Sequence, residues 1–452
     1  MKKIVLLLTI TSSIISYSQI TDANFNQAIS TCLSTNPIDG MCSDSEYGAM
    51  PDWDVSNVTS MEQAFSERAD FNADISGWDV SNVTTMHRMF WRAFQFNQPI
   101  GNWDTGNVQD MSFMFSGYHV IGHQFNQPIG QWNTSNVTDM TRMFFYSLFN
   151  QNISSWDVSN VTSMANMFHV TPFNQPINNW NVENVNNMSG MFYFGEFNQN
   201  ISSWNVSNVN NMSSMFNATP FNQDISSWDV SNVTDMSEMF RLTPFNQDIS
   251  SWNVSNVISI NQMFRLSTFN QDISNWNVSN VLNMRWVFEG SSFNQNIGYW
   301  DVTNVTDMEY MFDNSEMSTE NYDNTLIGWA TQDLQNNVKL TAININYCNG
   351  NDARQSMIDN YNWTIIDDGL DCSSLSAYEN FLNISIYPNP TRNHIYINSN
   401  IEFEIIVFDI YGKELIKKHK SNNIDLSFLE NGTYIINISD GVKNSYHKII
   451  KN

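Results

Sequence analysis

Eleven tryptophans recur along most of this 452-residue chain at a nearly constant spacing. The first three intervals are 25, 25 and 29 residues, and every later interval is 24 residues. The series runs through Trp53, Trp78, Trp103, Trp132, Trp156, Trp180, Trp204, Trp228, Trp252, Trp276 and Trp300. A period of about 20 to 30 residues indicates one supersecondary unit per repeat, which buries its apolar side only against its neighbours. The spacing therefore predicts repeats stacked on one another.

The clearest copy of the repeat, residues 221–240, contains two spacings of apolar residues. Its Trp-x-Val part alternates with a period of two, which predicts a short strand. The Val-x-x-Met-x-x-Met-Phe part has the spacing of three and four that is typical of a helix, and Thr234 and Asp235 suit the start of that helix. The repeats are therefore predicted to form an α/β solenoid of about 11 coils, each a short strand plus a short helix, with a parallel sheet.

Residues 1–19 have the layout of a secretory signal peptide. Lys2 and Lys3 precede an apolar run, and small residues follow it,. The run is shorter than the roughly 20 residues that cross a membrane. We therefore expect the chain to be exported and this segment to be removed, with no transmembrane span in the mature protein.

Changes in the apolar pattern divide the rest of the chain. The predicted parts are an N-terminal cap (20–52), the repeat solenoid (53–312), a C-terminal cap (313–372), a linker (373–383) and a small all-β sandwich domain (384–452). A weakly helical stretch, Ala23 to Leu33, lies in the first cap. Runs rich in Ile and Tyr, separated by turn residues such as Asn431 and Gly432, predict the strands of the sandwich.

The chain has four cysteines, which an exported protein is expected to hold as disulfides,. The favoured pairs are Cys32 with Cys42 and Cys348 with Cys372, although spacing alone allows three connectivities. Both pairs flank the repeats, where a terminal unit lacks a neighbour on one side. No Cys-x-x-Cys motif occurs, so neither a redox site nor a zinc ribbon is predicted.

Charge is unevenly distributed along the chain, whose formal net charge is -26. Residues 19–383 contain nine basic and 38 acidic residues, whereas residues 384–452 contain eight basic and seven acidic ones. An acidic surface repels phosphate groups, which argues against nucleic acid or anionic lipid as a partner. Basic proteins, cations and neutral glycans remain as partner classes.

Two polar positions recur in register with the tryptophans. An Asn column, from Asn57 to Asn304, is expected to consist of buried amides that bond to each other and to backbone groups, with glycosylation of the Asn-Val-Thr copies as the alternative. The residue after each tryptophan is Asp or Asn, a mixture that limits repulsion between stacked carboxylates. Asp54, Asp79 and Asp104 are consecutive in this column and are weak candidates for a Ca²⁺ site. No other cofactor is predicted.

The third repeat carries an insertion at residues 116–124 with two histidines, His119 and His123. The glycines around them make a helix unlikely, and no third ligand accompanies them, so a metal site is not predicted. A hydrolase that uses these histidines is a remote alternative. No nucleophile elbow, phosphate loop or dinucleotide motif occurs, and the chain is predicted not to be an enzyme.

Aromatic residues outside the core pattern are weak candidates for ligand contact, because large aromatic side chains dominate many binding surfaces. These candidates are Trp91, Tyr118, Tyr146, Tyr193 and Trp286.

The repeat Phe-Asn-Gln-Asp-Ile-Ser-Ser-Trp-Asp-Val-Ser-Asn-Val-Thr-Asp-Met-Ser-Glu-Met-Phe resembles that of the BspA-type leucine-rich repeat surface proteins of bacteria. The resemblance covers residues 53–312, with similar flanks around Trp53 and residues 320–329. It implies a leucine-rich-repeat-like fold and a role in adhesion or surface recognition, without catalytic residues. The Ile-x-x-Trp-x-Val-x-Asn-Val pattern departs by one residue from the standard leucine-rich pattern, so the standard horseshoe curvature is not implied.

Residues 384–452 are similar to the type A C-terminal sorting domain of type IX secretion in Bacteroidota. The likeness is carried by residues 387–390, 407–413, 429–434 and 448–451, and its motif residues are Tyr387, Pro388, Asn389, Pro390, Gly412 and Gly432. The resemblance implies that the type IX machinery carries the chain across the outer membrane. Attachment to surface lipopolysaccharide or release then follows removal of the domain.

These observations predict a non-enzymatic, exported surface protein whose acidic repeats bind an unknown protein or glycan. The alternative is a structural spacer or surface coat without a specific ligand, in which the acidic groups provide hydration and repulsion.

Overall fold

The computed structural model describes residues 18–118, 121–373, 385–398, 403–419, 422–440 and 444–452. The chain divides between Gly369 and Leu370 into two compact units. The predicted signal peptide and linker fall almost entirely on residues outside the described ranges.

The repeats consist of turns. Among the described residues from 53 to 318 there is neither a helix nor a strand, and adjacent repeats are joined by single-residue parallel bridges such as Ser60 with Thr85 and Asn283 with Asp307. The predicted α/β solenoid of about 11 coils, each with a short strand and a short helix in a parallel sheet, is therefore wrong.

Left-handed residues explain why no helix forms. In ten of the eleven segments equivalent to Met86-His-Arg-Met-Phe-Trp-Arg92, two residues have positive φ, as Arg88 (φ 53) and Arg92 (φ 59) do in the second repeat. This conformation interrupts a right-handed helix. The N–H groups of Arg88 and Arg92 donate to the carbonyls of Ser112 and Ser116 in the next repeat, at 3.0 and 2.9 Å. The intervals of three and four residues between apolar positions therefore come from consecutive turns, not from a helix.

The predicted helix start at Thr234 and Asp235 is also wrong for this reason. The Thr234 hydroxyl donates to the Asn210 carbonyl in the preceding repeat at 3.1 Å. The Asp235 carboxylate accepts from the Ser237 N–H at 2.9 Å, which closes a local turn.

The tryptophans form the core, as predicted. All eleven are at most 5% exposed, and most successive rings stack, with the Trp180 and Trp204 centroids 6.5 Å apart. Each indole N–H donates to a backbone carbonyl, as Trp204 does to Ile177 in the preceding repeat at 3.0 Å. Two further columns of stacked Phe rings run beside them, with Phe192 3.8 Å from Phe197. Burial of these rings supplies the main apolar stabilisation of each repeat.

Asparagine side chains join each repeat to the next in two ladders. In the Phe-Asn-Gln ladder, the Asn174 Oδ1 accepts from the Asn198 N–H and from the Gln199 Nε2, both at 3.0 Å. In the predicted Asn column, the Asn184 Nδ2 donates to the Ser159 carbonyl at 2.7 Å. Asn184 is exposed, so the expectation that the amides of this column are buried is wrong, although their bonding to backbone is confirmed.

The N-terminal cap contains helix α1 (Phe25–Thr35) and a 3₁₀ turn (Met50–Asp52). A disulfide joins Cys32 and Cys42, as predicted. The Asp22 carboxylate accepts from the N–H groups of Thr59 and Ser60 at 2.8 and 3.2 Å. This cap therefore bonds directly to the first repeat.

The C-terminal cap contains α2 (Thr319–Trp329), β1 (Lys339–Ala342), α3 (Asn351–Tyr361) and β2 (Thr364–Asp367), with β1 and β2 parallel. Trp329 continues the tryptophan column, because its indole N–H donates to the Ile297 carbonyl at 3.1 Å. The carbonyls of Thr341 and Ile343 accept from the N–H groups of the last repeat. Cys348 and Cys372 are both disulfide-bonded, and no described cysteine is free.

The C-terminal unit contains two small antiparallel sheets. Its strands are β3 (Ser385–Tyr387), β4 (His394–Asn398), β5 (Glu404–Phe408), β6 (Glu414–His419), β7 (Asn423–Asp425), β8 (Gly432–Ser439) and β9 (Asn444–Lys451). The first sheet has the order β3-β4-β7 and the second β6-β5-β8-β9. Ile395 and Ile424 of the first sheet share one apolar cluster with Ile405 and Ile436 of the second.

The Phe-Asn-Gln ladder predicts a specific stability effect. Replacing Asn174 with Ala removes the acceptor of two part-buried donors, so we expect the free energy of unfolding to fall by about 1–3 kcal/mol. The control is Asn181→Ala, which removes only an exposed acceptor for the Glu183 N–H and should change stability by less than about 0.5 kcal/mol. Urea unfolding followed by tryptophan fluorescence measures both, and equal losses would contradict the role of the ladder.

Candidate functional site

Positive charge is confined to one part of each repeat. Residues 53–338 contain seven arginines and no lysine. Every one of these arginines lies between the first Met of the turn segment and the third residue after its Phe. Because hydrogen bonds hold equivalent turns against each other, these side chains share one side of the repeats.

Aromatic side chains accompany the arginines from the second to the sixth repeat. We call this group the arginine–aromatic face. It consists of Arg88, Trp91, Arg92, Phe113, Tyr118, Arg142, Phe145, Tyr146, His169, Tyr193 and Phe194. Tyr118 and Phe194 are 46% and 51% exposed, and the other members are half-buried.

Two guanidinium groups flank one ring in this face. Arg88 and Arg142 lie 4.9 and 5.4 Å from the centroid of Phe113, which belongs to the repeat between them. Arg92 lies 4.2 Å from Trp91 and 4.9 Å from Tyr118. Such cation–π contacts fix the guanidinium groups while leaving their N–H donors for other acceptors.

Three rings continue the face along the repeats. His169 stacks between Phe145 at 4.5 Å and Tyr193 at 4.4 Å. Burial lowers the pKa of His169 to about 4, and repulsion from Arg142 adds to this shift. His169 is therefore an uncharged ring at neutral pH, and the three rings form a continuous half-exposed platform.

Acidic partners are scarce in this face. Arg92 forms an ion pair with Glu67 at 3.1 Å. Within the described part of the chain, neither Arg88 nor Arg142 has a carboxylate within ion-pair distance. Two charged, partly exposed guanidinium groups thus remain available to an external anion.

Two of the three arginines of the later repeats are neutralised internally. Arg265 pairs with Glu289, and Arg285 pairs with Glu309 at 2.7 Å. Lys339 of β1 also reaches Glu309, at 2.5 Å, which lowers the pKa of that carboxyl through their hydrogen bond. Arg241 of the eighth repeat differs from these two, because no described carboxylate lies within ion-pair distance of it.

The aromatic ligand candidates divide between these two regions. Trp91, Tyr118, Tyr146 and Tyr193 all lie on the arginine–aromatic face. Trp286 instead stacks on Tyr310 at 5.2 Å and lies 4.0 Å from Arg285, within the internally paired region.

Sequence reasoning missed the arginines and His169 as members of a site. It counted charge by segment of the chain, which gave only an acidic average. Aligning the repeats and counting charge by position would have revealed them, because all seven arginines fall in the same turn segment.

The three carboxylates that were candidates for a Ca²⁺ site accept local hydrogen bonds. The carboxylates of Asp54, Asp79 and Asp104 accept from the N–H groups two residues later, at 3.1, 3.0 and 3.0 Å. Bonds from the Ser56 hydroxyl and N–H lower the pKa of Asp54. No group of three or more His, Cys, Asp or Glu side chains is placed to hold a metal ion within the residues that the structure describes.

Only one of the two histidines of the insertion, His123, is among the described residues. His119 lies outside the described residues. His123 is fully buried, its Nε2 lies 3.1 Å from the Phe90 carbonyl, and its Nδ1 accepts from the Phe125 N–H at 3.2 Å. Because both ring nitrogens are bonded to backbone, His123 anchors the insertion beneath the arginine–aromatic face.

The predicted sorting motif is assembled at one end of the C-terminal unit. Asn389 donates through Nδ2 to the Lys448 carbonyl at 2.7 Å and accepts from the Ile450 N–H at 2.9 Å. The peptide bonds before Pro388 and Pro390 are cis. Gly412 has a φ of 80, which favours glycine, and Gly432 begins β8,.

The structure thus defines a protein of repeats built from turns, followed by a small β-rich unit. A family model described as "Mycoplasma protein of unknown function, DUF285" matches residues 38–145, 118–218, 171–268 and 242–347. These matches together span more than half of the chain, which belongs to this family. Residues 385–452 match a model described as "Secretion system C-terminal sorting domain". A search of curated proteins finds no match.

The predicted C-terminal sorting domain is thus confirmed. It indicates type IX secretion and a surface or extracellular location. Within the described residues, no helix combines the length and apolar character that crossing a bilayer requires.

Burial of His123 predicts a pH-dependent stability. Burial lowers the pKa of His123 from 6.5 to about 3, so the unfolded chain binds a proton more readily between these values. The stabilisation is complete above pH 6.5 and is lost as the pH falls towards 3. We expect this group to lower the free energy of unfolding by about 2 kcal/mol between pH 7.5 and pH 5.

Urea unfolding at several pH values measures this dependence in the natural chain and in His123→Gln. The Gln variant should have a lower stability at pH 7.5 and a flatter decline towards pH 5. An unchanged slope in the variant would show that His123 is not responsible.

Proposed function

We propose that this protein is a non-enzymatic, exported surface protein that recognises a ligand through the arginine–aromatic face. The observation that carries the proposal is the pair Arg88 and Arg142, two cations beside half-exposed rings that have no ion-pair partner among the residues with described positions. Large rings and arginines are the side chains that most often dominate binding energy. The resemblance to BspA-type surface proteins supports adhesion as the biological outcome.

This proposal changes the expected binding surface. The sequence suggested that the acidic surface as a whole would bind. Exposed charges interact mainly within about 8 Å at physiological ionic strength, so the local sign of a face matters more than the net charge of -26. The arginine–aromatic face is locally cationic and can therefore accept anionic groups.

A structural spacer or surface coat is the second candidate function. The exposed carboxylates after the tryptophans, such as Asp54, Asp79 and Asp157, favour it because hydrogen bonds keep their pKa values low and the groups charged. A coat would need the charge but not the particular rings. Replacing the face while keeping the net charge separates the two functions.

Export completes the proposal. The sorting domain implies a role for the secretion machinery. We propose that the signal peptide delivers the chain to the periplasm and that residues 384–452 then direct it across the outer membrane. Attachment to surface lipopolysaccharide or release follows.

Loss of aromatic side chains from the face should weaken recognition. Trp91→Ala combined with Tyr146→Ala removes two half-buried rings without changing charge, so we expect at least a tenfold weaker affinity, about 1.4 kcal/mol. The control is Tyr299→Ala, which removes a ring that is 83% exposed and lies outside the face. Glycan and matrix-protein arrays, with and without Ca²⁺, identify the ligand of the full chain, and titration then compares the variants. Equal affinities in all three proteins would support the coat instead.

Removal of the sorting domain should prevent surface display. A chain that ends at residue 372 keeps both caps and the repeats but lacks the unit that matches the sorting model. We expect it to accumulate inside the outer membrane, where protease added to intact cells does not reach it. Digestion equal to that of the full chain would contradict sorting by residues 385–452.

A further inference from the structure

We propose that the ligand of the arginine–aromatic face is an acidic polysaccharide that carries a carboxylate on every second sugar and lies along the direction of the repeats. The inference rests on the proposed function and names the chemical class of its ligand. Three features of the face carry it: the separation of its free cations, its uncharged rings and its low density of charge.

The cations are spaced for an alternating polymer. Arg88 and Arg142 belong to repeats two apart and flank Phe113 from opposite sides, at 4.9 and 5.4 Å from its centroid. Repeats joined by parallel bridges advance by about 4.8 Å each, which places equivalent groups about 10 Å apart. A guanidinium group binds a carboxylate through two parallel N–H donors. One ring therefore separates two carboxylate sites.

The rings provide positions for the sugars themselves. Phe145, His169 and Tyr193 stack at 4.5 and 4.4 Å on three consecutive repeats. One apolar face of a pyranose ring presents C–H groups that pack on aromatic rings, whose faces are electron-rich. A linear chain of sugars that follows the repeats would meet one ring after another, starting beside Arg142.

The density of charge disfavours nucleic acid. A single strand has a phosphate on every nucleotide, and proteins that bind it line the path with many basic groups. Residues 53–338 contain no lysine, and only three arginines lie on the face. The exposed acids elsewhere on the repeats would repel a densely charged polymer. A polysaccharide with one carboxylate for each pair of sugars matches the two free cations.

The test measures binding of the full purified chain to four immobilised polymers: hyaluronan and unsulfated chondroitin, which alternate uronate with a neutral sugar, dextran, and a single-stranded DNA of mixed sequence. The informative variant is Arg88→Gln with Arg142→Gln. Its matched control is Arg68→Gln with Arg285→Gln, which removes the same charge from arginines outside the face. Thermal unfolding of each variant checks that the repeats stay folded.

We expect the two uronate polymers to bind more tightly than dextran and DNA. The Arg88 and Arg142 variant should weaken that binding at least tenfold, and the control should change it by less than twofold. Equal losses in both variants would show a general charge effect and overturn the site. Failure of both uronate polymers to bind, or tighter binding of DNA or dextran, would overturn the ligand class. Recognition of another array ligand that depends on Trp91 and Tyr146 would in that case leave the proposed function standing.

Discussion

Hydrogen bonds from the turn segments of one repeat to the carbonyls of the next determine the rest of this structure. In the second repeat, Met86, Arg88, Phe90 and Arg92 each donate a backbone N–H to the third repeat. The donors are every second residue, and two of the four, Arg88 and Arg92, are left-handed. The backbone N–H groups of the segment therefore form hydrogen bonds between repeats, where a helix would form them within one repeat. Equivalent side chains are then held one above another as columns.

In these columns, the residues that stabilise the fold and the residues available for recognition occupy different positions. The Met and Phe side chains point into the core. Each Phe ring stacks on the rings of both neighbouring repeats, as Phe192 does at 5.8 and 5.9 Å on Phe168 and Phe216. The positions beside them point outward and make few core contacts. They can therefore hold Arg, Trp, His or Tyr in one repeat and Ser or Ala in another without disturbing the stack. The arginine–aromatic face lies at these outward positions.

The sequence predicted the features that depend on apolar spacing and on motif likeness. The buried tryptophans, helix α1, the Cys32–Cys42 disulfide and the sorting domain follow from such patterns. The secondary structure of the repeats did not, because spacings of three and four also arise from paired turns. Positive φ at residues such as Glu238 and Leu242 could not be predicted from the type of amino acid, since neither residue favours that conformation. The candidate site was predicted only through its aromatic members, because its arginines were averaged with distant acids.

Substitution of one outward residue tests the turn geometry most directly. Ser214 has a φ of 56 and donates its N–H to Ser237 of the next repeat at 2.7 Å. Glycine is favoured over alanine in this conformation by about 1 kcal/mol, whereas alanine is favoured over glycine by a similar amount within a helix. The account predicts that Ser214→Gly has the higher free energy of unfolding of the two variants in urea. A higher value for Ser214→Ala would contradict the turns and indicate a helix at this position.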